Sequence, residues 1–92
     1  MPAVLELNAA MIADRFAGVA AYLGIAGGFD GFRAFVQEFN DSFGIPRKLS
    51  EMGVGRDRID DLTTMALADP SCGGNPVALT TENVKALFQA TI

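Results

Sequence analysis

The chain has 92 residues, half of them hydrophobic, and a net charge of −4 from seven basic and eleven acidic side chains. A chain of this length makes one domain with a modest core, and its few scattered basic residues argue against nucleic acid or a charged membrane surface as partner. The absence of histidine removes Ser-His-Asp and Cys-His catalysis and most zinc sites, while a lone cysteine forms no internal disulfide and fits a reducing, cytoplasmic location.

Residues Ala3 to Leu23 are rich in Ala, Leu and Met and predict helix, with Asn8 expected to interrupt it and a longer segment starting near Met11. The opening "MPAVLELN" has no positive n-region and carries Glu6 early, unlike a signal peptide. Phe16 to Phe29 is the longest uncharged run, 14 residues with four glycines. A bilayer takes about 20 apolar residues, so no transmembrane helix is expected. Gly24 is the expected C-terminal cap.

Phe29, Phe32, Val36, Phe39 and Phe43 then recur at steps of three and four, widened by Phe35, and trace one stripe of a helix closed by Gly44. This stripe predicts the core helix. "GIPRKLSEMGV" reads as loop with one helical turn at Leu49–Met52, and the adjacent Arg47 and Lys48 read as solvated. From Arg56 to Ala68 the pattern returns to helix, with Ile59, Leu62, Met65 and Ala66 expected inward. Asp57, Asp60 and Asp61 open it, where the helix dipole favours negative charge. Two or more of these acids share a face, but acids opening a helix are an ordinary solvated feature rather than a metal site.

"DPSCGGNP", Asp69–Pro76, ends that helix and collects Asp-Pro, Gly-Gly and Asn-Pro turn signals around the only cysteine. Gly-Gly is expected to supply backbone shapes closed to other residues. Cys72 has no neighbouring cation in sequence to stabilise a thiolate, so it reads as a small, partly buried residue filling the turn, with a cleft-lining role as the alternative. "LTTENVKALFQATI" opens a last helix with Thr80 as N-cap and Val84, Leu87, Phe88 and Thr91 inward. The expected fold is all-α, a bundle of four to five helices over 1–92 with no sheet. Its mean hydropathy of +0.28 is high for so short a chain, so apolar helix faces should stay exposed and mark a partner interface.

The order of features in the second half closely resembles the C-terminal end of iron-containing (group III) alcohol dehydrogenases. The resemblance rests on Gly44-Ile45-Pro46 with Leu49 and Gly53-Val54, then Ile59, Leu62, Ala66 and Asp69. Gly74-Asn75-Pro76, Leu79-Thr80 and the closing amphipathic helix complete the series, and Pro2 and Asn8 match more weakly before it. Val77 departs from the arginine usual after Asn-Pro.

The resemblance implies a two-domain oxidoreductase in which an α/β part binds NAD(P). A helical part holds Fe2+ or Zn2+ through one aspartate and three histidines, and small alcohols or aldehydes react between the two. None of those ligand positions falls in this chain, so it is expected to bind neither metal nor nucleotide and to be inactive alone, as a fragment of such an enzyme. The resemblance also implies that Cys72, Gly73, Gly74, Asn75 and Pro76 form a loop at the cleft. The expected partner is a second copy, joined through exposed apolar helix faces, or a separately encoded N-terminal half. The alternative is a helical module repurposed to bind a protein or a hydrophobic ligand.

Overall fold

The computed structural model describes residues 1–92 and contains four α-helices, three short 3₁₀ segments and no strand. It divides into two units, Met1–Ile45 and Pro46–Ile92.

In the first unit, α1 (Pro2–Leu23) runs unbroken through Asn8. Asn8 does not interrupt it because the side chain is buried, and no buried side-chain polar atom in the chain lacks a hydrogen bond. Proline at the first helical position costs nothing, since its missing N–H would have no partner there. Gly24 closes the helix in the left-handed conformation, its N–H bonding Ala21 O and the next N–H, of Ile25, reaching back to Ala20 O. That pair of bonds satisfies carbonyls the helix end leaves open.

The chain turns by 68° into α2 (Gly28–Ser42) across Gly27 and Gly28, both at positive φ. Gly31 is required for a different reason. A Cβ there would stand 1.9 Å from the carbonyl oxygen of Ala26, a separation that only a backbone shift relieves.

The seam between α1 and α2 buries Leu5 and Ala20, and sets Phe16 against Phe32 with ring centres 5.0 Å apart and planes tilted by 59°. Arg33 bridges to Glu6 at 2.8 Å across it, an exposed pair worth little. Phe29, Phe32 and Val36 face this seam half-buried, but the rest of the stripe does not. Phe35, Phe39 and Phe43 are 45%, 53% and 69% exposed, so α2 is a core helix only over its first half. The reason is geometric: a single partner helix covers part of a stripe that spans the full length of α2 and is widened by Phe35.

In the second unit, a 3₁₀ turn at Leu49–Met52 and another at Arg56–Arg58 lead into α3 (Ile59–Ala68). Ile59 and Thr63 are buried, while Met65, expected inward, is 65% exposed. Thr63 lies one turn on from Ile59 and its hydroxyl donates to Ile59 O at 2.7 Å, which lets a polar side chain occupy the core position without an unmet donor. Met65 points away by two residues' rotation.

The last helix, α4 (Thr81–Thr91), starts on a reciprocal cap: Asn83 N–H donates to the Thr80 hydroxyl at 3.2 Å and Thr80 N–H to the Asn83 side chain at 2.8 Å. Val84 and Ile92 are buried, and Leu87, Phe88 and Thr91 are half-buried. Lys85 meets Asp60 at 2.6 Å, and the Ser50 hydroxyl reaches Ile92 O at 3.4 Å, tying the first 3₁₀ turn to the end of α4. No single helix is long and apolar enough to cross a membrane.

Two glycines separate steric need from mere presence. Gly18 lies inside α1 with nothing within 4 Å of a built Cβ. Gly18→Ala should therefore raise stability by about 0.5–1 kcal/mol. Gly31→Ala should lower it by about 2–3 kcal/mol through overpacking against Ala26. The shift of the urea midpoint reads both. Thr80→Ala should cost about 1 kcal/mol through loss of the α4 cap.

Candidate functional site

Asp69 leaves α3 in an extended conformation, and Pro70–Gly74 then form a single 3₁₀ turn. The turn is organised by the Asp69 carboxylate, which accepts the Ser71 backbone N–H at 2.8 Å and also the Ser71 hydroxyl. Hydrogen bonds from the Ser71 hydroxyl and then its N–H hold the Asp69 pKa below its ordinary value. Cys72 is half-buried, and its thiol donates to Ala66 O, which also accepts the Asp69 N–H that closes α3. Asn75 N–H returns to Cys72 O at 3.2 Å, and its side-chain amide donates to Val77 O at 2.7 Å, fixing the Asn-Pro turn. Pro76 stands exposed beyond it.

Gly73 and Gly74 behave otherwise than expected. Neither has positive φ, so the pair supplies no backbone shape closed to other residues. Neither is crowded: a Cβ on either would meet nothing within 4 Å. Both are exposed. The loop thus presents a short strip of bare backbone, held between a thiol turned toward α3 and an outward proline.

The acids that open α3 are spread, not clustered. Asp60 pairs with Lys85, and Asp61 with Arg58 at 3.6 Å. No three cysteine or carboxylate side chains come together in a group that could hold a metal ion, and the chain has no histidine. These residues do not fit an iron or zinc centre.

The first unit carries two further surface features. Phe35, Phe39 and Phe43 form an exposed ladder along α2, with ring centres 6.1 Å apart for the first pair and 5.0 Å for the second. The sequence pattern places this ladder in the core; it stands exposed because one neighbouring helix covers only part of the stripe. A recess of about 230 Å3 is lined by Pro2, Arg33, Ala34 and Gln37. Its charged and polar groups are already engaged, Arg33 by Glu6 and Gln37 by Asp41 at 3.0 Å, which leaves it little to offer a ligand.

The Asp69–Ser71 contact stabilises the ionised carboxylate. Its contribution is therefore complete above the unfolded-state pKa of about 3.9 and disappears as pH falls through the lower folded value. A carboxyl NMR titration should place Asp69 below its ordinary pKa, and Ser71→Ala should move it back up.

A model of the Fe-containing alcohol dehydrogenase family, C-terminal, matches residues 1–92. Among curated proteins, the chain is 26% identical over 98 residues to an NADPH-dependent butanol dehydrogenase of Clostridium saccharobutylicum. That alignment takes in 97% of this chain and 25% of the relative, so the chain spans about a quarter of the relative's length. No solved structure matches. All-helical, and matched by that family model from its first residue to its last, the chain belongs to the Fe-containing alcohol dehydrogenase family, whose C-terminal part it represents.

Proposed function

We propose that the chain serves as the C-terminal helical portion of an iron-containing, NAD(P)-dependent alcohol dehydrogenase acting on small alcohols and aldehydes, and that it is inactive by itself. The observation that carries this reading is the match of residues 1–92 to the family's C-terminal model. It is supported by the lack of any donor set for a metal and by the Clostridium relative, which is about four times as long and NADPH-dependent. Metal and nucleotide sites then lie in other parts of the enzyme, in a cytoplasmic setting that suits an unpaired cysteine.

In this reading the Cys72–Pro76 loop is a wall of the cleft. Side chains on Gly73 and Gly74 would meet nothing within the chain, and as glycines they leave room for a surface that comes close from outside. The exposed Phe35–Phe39–Phe43 ladder is a second such surface, one that the remaining parts of a full-length enzyme would cover. A partly exposed row of phenylalanines is costly to leave in water, since apolar burial is worth about 25 cal/mol per Å2.

The purified chain with iron(II), NADPH and butanal should show no NADPH consumption, and calorimetry should detect neither metal nor nucleotide binding. Turnover would overturn the proposal. Co-expression with the preceding region of a family member should restore NADPH consumption. In that reconstituted enzyme Gly74→Val should lower turnover by about tenfold or more, since displacements near 1 Å at a reacting centre have effects of this size. The same substitution should leave the isolated chain's urea midpoint within about 0.5 kcal/mol of the parent.

The ladder also favours a second reading, a helical module that buries this face against another protein or a second copy. Phe39→Asp separates the two. If the chain self-associates through the ladder, sedimentation should show the parent as a dimer or larger and the variant as a monomer with unchanged helicity. If the ladder serves only the larger enzyme, the parent chain sediments as a monomer and Phe39→Asp abolishes reconstitution alone.

A further inference from the structure

We draw no further inference here: the strongest candidate, the exposed Phe35–Phe39–Phe43 face of α2, belongs to the surface already discussed, and nothing in the structure shows what covers it.

Discussion

A pair of helices has a single seam in which to hide apolar side chains, whereas three or more helices can enclose a core. Each unit of this chain rests on one such seam, α1 against α2 and α3 against α4. Five hydrophobic residues are buried, and no large side chain is sealed completely from solvent. The large apolar residues beyond the seams, from Met11 and Tyr22 to Phe43 and Met65, therefore stay in contact with water. With so little interior, the capping bonds at Gly24 and Thr80 and the close turn at Gly31 carry more of the definition of the fold than they would in a larger domain.

The helices were legible because their signals are local. The start of α4 is written in Thr80, the end of α1 in Gly24, and the end of α3 in Asp69-Pro70. What was not legible depends on the partner surface available. The period of the phenylalanine stripe gives the face of α2 but not how far along that face a neighbour reaches. At α3 the period allows either Met65 or the turn carrying Thr63 to face inward, and hydropathy prefers methionine. The structure buries Thr63, because its hydroxyl finds a carbonyl within its own helix. Asn8 was misjudged for the same reason: a polar residue in an apolar helix reads as a break unless its hydrogen bonds are known.

The loop illustrates a different limit. Its residue types were read as turn chemistry, and much of it is: Asp69, Ser71, Cys72 and Asn75 each make a local hydrogen bond that shapes the chain. The glycines resist that explanation, since neither conformation nor crowding inside the chain calls for them. Steric demand on a glycine can come from its own backbone, from its own fold, or from another body. Gly27 and Gly28 belong to the first kind and Gly31 to the second. Gly73 and Gly74, like Gly18, belong to neither, so nothing within the chain requires glycine at these positions.

Ile92 is buried, its N–H is bonded to Phe88 O and its carbonyl accepts from Ser50. Whatever is attached after it, such as an affinity tag or a fluorescent fusion, must leave from inside the packing of α4 and compete with that anchorage. Met1 caps α1 through its carbonyl but is 74% exposed, so a label or tether leaves from its amino group directly into solvent and belongs at that end of the chain.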